Sequence, residues 1–319
     1  MKLVVLERNS VGTDVDVSCF EKFGEVDYYA NTVAENTAER VKDADIIIGN
    51  KAPMNESTLK DAPNVKLICL FATGFDNVDL AYCKSRGIRV ANVVNYSTAA
   101  VVQHTLLLAL ALEEKLIHYD NYVKSGAYGA QDRFSNFDVV FGELEGKTWG
   151  IVGMGNIGRG VARTVQTLGC KVIFYSASGK SSCTEYERVE FDELLARSDI
   201  LSLHCPLSDR TRGLIDKEAF SKMKKSAILV NVARGPVVDT QALYDALTQG
   251  QIAAAGLDVL EKEPISMDNP LGTIKDSTRL IITPHMAWAS VEARTRLVGE
   301  VMKNIEAFLN GEERNVVNP

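Results

Sequence analysis

This sequence predicts an α/β protein of two doubly wound parallel-sheet lobes, on three observations. Strand-like and helical runs alternate from the first residues, the alternation lapses near residue 98, and it restarts at residue 147 with a strand, a glycine-rich turn and a helix. In the first series, apolar runs at 3–6, 26–29, 45–49, 66–72 and 88–93 read as strands, with helical runs at 34–42 and 78–85 among the connections. Ser97 or Thr98 caps a long helix expected to reach about residue 116, apolar nearly all round and therefore buried. Residues 118–146 hold glycine, polar and aromatic side chains, including Tyr119, Tyr122, Phe134 and Phe137, with little periodicity; they predict a long segment without strong structure that serves function or an interface. The second series places strands at 149–152, 172–175, 200–204, 228–232, 253–257 and 280–282. A last helix at 290–309 carries Val298, Val301, Ile305 and Phe308; packed on the first lobe, it would make that lobe discontinuous, giving domains 1–98 plus 287–319 and 99–286.

With 319 residues, 46% of them hydrophobic, the chain can bury two cores. Its net charge of −7 argues against nucleic acid or an anionic membrane as partner, which leaves small molecules. No apolar run approaches the ~20 residues of a membrane span, and the first, at 3–6, is too short for the core of a signal peptide. Six cysteines without a paired or zinc-type spacing suit a reducing cytosol, so the expectation is a cytoplasmic protein with buried free thiols and no metal.

Residues 147–158 read Lys-Thr-Trp-Gly-Ile-Val-Gly-Met-Gly-Asn-Ile-Gly. Gly153, Gly155 and Gly158 allow a tight turn, close approach of backbone to phosphate, and close packing of helix on strand. Asn156 and Ile157 then open a helix whose unpaired amides favour a pyrophosphate, which points to a bound dinucleotide. Three ionisable residues follow strands of this lobe, where ligands of open α/β sheets collect. Arg234, in Asn-Val-Ala-Arg-Gly-Pro, can fork a carboxylate. Glu263, in Glu-Lys-Glu-Pro, and His285, in Thr-Pro-His, pair well chemically: a carboxylate beside imidazole stabilises its charged form, so the ring can protonate a carbonyl being reduced. His104, inside the apolar helix, and His118 read as ordinary packing or surface residues.

The segments Asn-Val-Ala-Arg-Gly-Pro-Val-Val-Asp, Gly-Leu-Asp-Val-Leu-Glu-Lys-Glu-Pro and Thr-Pro-His-Met-Ala-Trp-Ala-Ser resemble the signatures of the D-isomer-specific 2-hydroxyacid dehydrogenase family, as do Leu-His-Cys-Pro-Leu at 203–207 and Ala-Thr-Gly-Phe-Asp-Asn-Val-Asp at 72–79. They fall in the family's order from about residue 45 to 295. The resemblance implies a Rossmann nucleotide-binding lobe, a flavodoxin-like substrate lobe, and reversible hydride transfer between NAD(H) or NADP(H) and a short 2-oxo acid, yielding the D-2-hydroxy acid. It implies that Arg234 holds the oxo acid, His285 is the acid/base, Glu263 tunes it, and the amides of Thr73 and Gly74 bind the substrate carboxylate. Asn50-Lys51 and Asn95-Tyr96-Ser97-Thr98 resemble the hydroxypyruvate reductase (glycerate dehydrogenase) branch, making Asn50 and Lys51 implied substrate contacts. Implied cofactor contacts are Thr98, His204, Cys205 and Pro206, together with Val232, Ala233, Asp258 and His285. Residues 118–146 resemble the family's dimer arm, implying a homodimer. Two alternatives stay open: a formate-type dehydrogenase, which typically pairs its histidine with glutamine, and a nucleotide-sensing protein of the corepressor type.

One departure concerns the ribose. NAD-preferring sequences carry an acidic residue about 20 residues beyond the glycine turn. Here the strand ends Phe-Tyr-Ser-Ala-Ser-Gly-Lys, with no carboxylate before Glu185. Ser176, Ser178 and Lys180 could donate to a 2′-phosphate, which tilts the expectation slightly towards NADP(H), although no arginine follows and a polar, solvated turn would look the same.

Overall fold

Runs such as Ile46–Gly49 and Ile228–Asn231 are buried at every position, as expected of parallel strands covered by helices on both faces. The computed structural model describes residues 1–319, and the chain divides into two compact units, Met1–Ser97 with Trp288–Pro319, and Thr98–Ala287.

In the first unit β1 (Lys2–Val5), β2 (Glu25–Tyr28), β3 (Ile46–Gly49), β4 (Leu67–Leu70) and β5 (Arg89–Ala91) form a sheet in the order β2-β1-β3-β4-β5, all pairs parallel. Its core gathers Val4, Ile47, Ile68 and Val90 from the strands with Val41, Leu59 and Cys83 from the covering helices. Asp79 caps the helix Leu80–Ser85 by accepting from the amide of Tyr82, and Ser290 caps the last helix, Val291–Leu309, through the amide of Ala293. That helix belongs to this unit, so two stretches remote in sequence share one core.

The second unit contains β6 (Thr148–Val152), β7 (Lys171–Tyr175), β8 (Glu187–Arg188), β9 (Ile200–Leu203), β10 (Ile228–Asn231), β11 (Ala254–Leu257) and β12 (Leu280–Ile282). Their order, β12-β11-β10-β9-β6-β7-β8, is fully parallel and reverses direction between β6 and β9. Loops leaving β6 and β9 diverge there and leave a crevice at the strands' carboxyl ends. Both sheets carry the doubly wound α/β architecture that the sequence predicts. Strand β8 is new: two exposed residues on the sheet edge carry no apolar pattern to read.

The connecting region departs further from expectation. The apolar helix Thr98–Glu113 ends short of residue 116 because Lys115 turns left-handed, at φ 55°. Helices Leu116–Lys124 and Ala127–Ala130 then occupy part of the stretch expected to lack regular structure. Neither has a buried residue, so neither needed the one-sided apolar pattern by which helices are recognised. The long helix is also less enclosed than its composition suggests, since Leu107 is 51% exposed. No helix is long and apolar enough to cross a membrane. Five of the six free cysteines are buried; burial pushes the thiols of Cys69, Cys83 and Cys205 up, which leaves them poor nucleophiles.

Candidate active site

A cavity of about 600 Å³ opens at the carboxyl ends of β6, β7 and β9, at the point where strand order reverses. The three glycines of its turn have separate tasks. Gly153 adopts φ +95°, and a Cβ there would lie 2.8 Å from the backbone nitrogen of Cys205. A Cβ on Gly158 would stand 2.2 Å from the carbonyl oxygen of Gly153, so helix and turn pack too tightly for any side chain. Gly155 differs: its backbone is extended, at φ −82°, and a Cβ would meet no protein atom within 4 Å. Nothing in the protein demands glycine there, whereas a phosphate lying against the backbone would. Gly155 has no side chain to cap the helix Asn156–Thr167, whose first turn contains Asn156, Ile157 and Gly158 and carries the positive end of the helix dipole.

The loop after β9, packed against Gly153, adds a polar side chain. Trp149 Nε1 donates to Ser202 Oγ over 2.9 Å, and Ser202 Oγ lies 3.0 Å from His204 Nε2. Ser202 Oγ has a proton to give and a second lone pair to receive one, so either ring tautomer satisfies this contact. His204 Nδ1 is buried without a hydrogen-bond partner, and burial lowers the pKa of the ring to about 3, so the imidazole is neutral. An orphaned ring nitrogen beside a glycine turn suits a polar ligand such as a dinucleotide, and the residues present fit that group.

Ser176, Ser178, Lys180, Cys205 and Pro206 also line the cavity. Sequence reasoning missed two further cations that line the cavity, Arg159 and Arg210. Arg159 directly follows Gly158, and Arg210 lies four residues beyond Pro206, so the signal was present in the sequence but remote from the β7 loop. Glu185, the first carboxylate after β7, is ion-paired with Arg159 at 3.5 Å, and no aspartate or glutamate lines the cavity. Thr98, Val232, Ala233 and Asp258 do not line it. Thr98 opens the helix Thr98–Glu113, Val232 and Ala233 are buried beyond β10, and Asp258 is buried beyond β11.

In the same unit the expected ionisable pair is formed. His285 Nδ1 lies 2.6 Å from Glu263 Oε2, and Glu263 Oε1 accepts from the amide of Leu260 over 3.0 Å. The carboxylate holds the Nδ1 proton, which leaves Nε2 as the face that can give or take a proton. Arg234 sits at the start of a short 3-10 turn after β10 and points one nitrogen at the carbonyl of Ala233, at 2.8 Å. Asn231 steadies this turn, donating to the carbonyl of Arg234 and accepting from the amide of Ala233, each over 3.0 Å.

The remaining candidates belong to the first unit. Asn50 and Lys51 follow β3 at the reversal point of that sheet, and their amides donate to the carboxylate of Glu7 at 2.6 to 3.0 Å. Thr73, ahead of Gly74, is tied by its hydroxyl to the carbonyl of Val93 and by its carbonyl to the side chain of Asn92, each at 2.7 Å. The backbone after β4 is thus tied in place at Thr73.

Residues 106–287 match the family described as D-isomer specific 2-hydroxyacid dehydrogenase, NAD binding domain. The chain belongs to the D-isomer specific 2-hydroxyacid dehydrogenase family. Within it, the chain is 41% identical to the hydroxypyruvate reductase of Blautia hydrogenotrophica, over 100% of both chains, and 39% identical to the glycerate dehydrogenase of Methylorubrum extorquens, over 99% of this chain and 98% of that one. Among solved structures it resembles the D-lactate dehydrogenase of Aquifex aeolicus complexed with NAD and lactic acid, with a TM-score of 0.86 at 30% identity, covering 100% of this chain and 99% of that one. It also resembles an acyclic imino acid reductase in complex with NADPH and D-Arg, with a TM-score of 0.88 at 28% identity, covering 99% of this chain and 100% of that one. This 2-hydroxyacid dehydrogenase is therefore an NAD(P)-dependent oxidoreductase that interconverts a 2-oxo acid and the D-2-hydroxy acid.

Proposed function

We propose that the protein reduces hydroxypyruvate or glyoxylate with NADPH in preference to NADH. When bound, the nicotinamide supplies the hydride. The amides of Thr73 and Gly74 hold the substrate carboxylate, Asn50 and Lys51 contact the substrate, and the Arg234 fork fixes the oxo acid in one orientation. His285 gives its Nε2 proton to the oxygen at C2 as that oxygen gains charge, while Glu263 stabilises the imidazolium and holds the ring. The observation that carries this reading is the 2.6 Å contact between His285 Nδ1 and Glu263.

The cofactor preference is supported by Arg159, Lys180 and Arg210 on the cavity wall, beside Ser176 and Ser178 and with no lining carboxylate. Such a lining offers a 2′-phosphate cations and hydroxyl donors, and the nearby carboxylate of Glu185 is itself paired with Arg159. Names of relatives support the substrate class: besides the two above, the glyoxylate reductase of Thermococcus litoralis is 36% identical over 95% of this chain. The test is initial rates of nicotinamide oxidation with hydroxypyruvate, glyoxylate and pyruvate, each with NADPH and NADH. Faster turnover of the first two acids with NADPH is expected; a preference for pyruvate, or for NADH, would refute the corresponding half of the proposal.

A further inference from the structure

His104 has the sequence context of a packing residue, yet its ring is tied to the loop that carries His285. It is 8% exposed within the helix Thr98–Glu113, with Nε2 2.9 Å from Thr283 Oγ1 and 3.4 Å from Asp258 Oδ1. Thr283 donates its only proton to Asp258 Oδ1, over 2.6 Å. Its oxygen can then only accept from His104, so His104 carries a proton on Nε2. Asp258, 2% exposed, also accepts the amides of Met286 and Ala287, each over 2.8 Å, and its own carbonyl accepts the amide of His285, again over 2.8 Å. One buried residue thus receives bonds from both sides of His285 and from His285 itself. Burial opposes the charge on Asp258, but the donors from His104, Thr283, Ala287 and Met286 outweigh it and hold its pKa below the usual carboxylate range.

His285 needs such an anchor. Its φ of 53° lies in the left-handed region, which is unfavourable for a residue with a Cβ and persists only where neighbours over-determine it. We propose that His104 and Asp258 are positioning residues: through Thr283 and the amides of Met286 and Ala287 they lock the loop so that His285 meets Glu263 by Nδ1 and keeps Nε2 for the substrate. This rests on the acid/base reading of His285.

The experiment compares His104→Leu, His104→Gln, Thr283→Val and His285→Ala. The readouts are kcat, KM, the solvent deuterium isotope effect, NADPH affinity by fluorescence titration, and the ring tautomers by nitrogen-15 NMR. The wild-type His104 ring should be protonated on Nε2. His104→Leu and Thr283→Val should lower kcat roughly 10- to 100-fold, as the loss of a hydrogen bond to a charged group does, and raise the isotope effect while NADPH affinity stays within about twofold. His104→Gln, whose amide can still donate to Thr283, should recover most of the rate. Full kcat in His104→Leu, equal losses in the Leu and Gln variants, or a His104 proton on Nδ1 would overturn the proposal. Near-native turnover by His285→Ala would overturn the acid/base reading and the inference together; loss of turnover there with full activity in His104→Leu would remove the inference alone.

Discussion

Arginine and lysine carry the same charge, so at position 234 only geometry separates them. The guanidinium offers a planar pair of donors to a carboxylate, whereas an ammonium offers a point charge on a flexible stem. The turn at 231–234 is fixed by the two bonds of Asn231, and Arg234→Lys should leave it intact. We therefore expect a large fall in kcat/KM for the oxo acid, about 100-fold if the roughly 2–3 kcal/mol of a charged hydrogen bond is lost, with unchanged NADPH affinity. Unaltered kinetics would take Arg234 out of the site. Glu263 and His285 were legible as a chemical pair because each follows a strand in a distinctive run, and the structure joins them. His104 was not legible, because a lone histidine among leucines has the same local pattern whether or not its ring meets a partner 179 residues away.

At the scale of an element, the turn between β6 and its helix separates ligand space from packing. Gly155→Ala adds a methyl that meets no protein atom at a backbone conformation open to alanine, so thermal stability should hold within about 1 kcal/mol. Binding of NADPH should weaken at least tenfold. Gly158→Ala places the same methyl 2.2 Å from a backbone oxygen and should cost about 1–3 kcal/mol of stability, as overpacking does. Thermal melts and fluorescence titration of the two variants check this; a destabilised Gly155→Ala with intact binding would reverse the assignment.

For the whole molecule, the apolar side chains left in water carry the argument. Val123, Phe134, Phe137 and Val140 are 54%, 90%, 70% and 84% exposed, all within one short stretch of chain. Exposed apolar surface concentrated in this way marks an interaction face, and we expect a second copy of this chain to cover it. Light scattering at micromolar concentration should give about twice the 34.9 kDa of one chain; a monomer mass would contradict the homodimer.

By itself, the sequence determined every strand but β8, the two parallel sheets and the glycine turn, because each is written in neighbours two to four residues apart, where backbone geometry repeats. It also located Arg234, Glu263 and His285 at strand ends. Tertiary structure alone decided what surrounds them. Lys180 follows β7, Arg159 lies on the helix after the turn and Arg210 follows β9, yet all three line one cavity. Thr283 and His104 likewise meet only because β12 and the helix Thr98–Glu113 pack together. A parallel sheet reorders its strands through long crossovers, so residues that become neighbours at its carboxyl edge leave no local spacing in the sequence to reveal them.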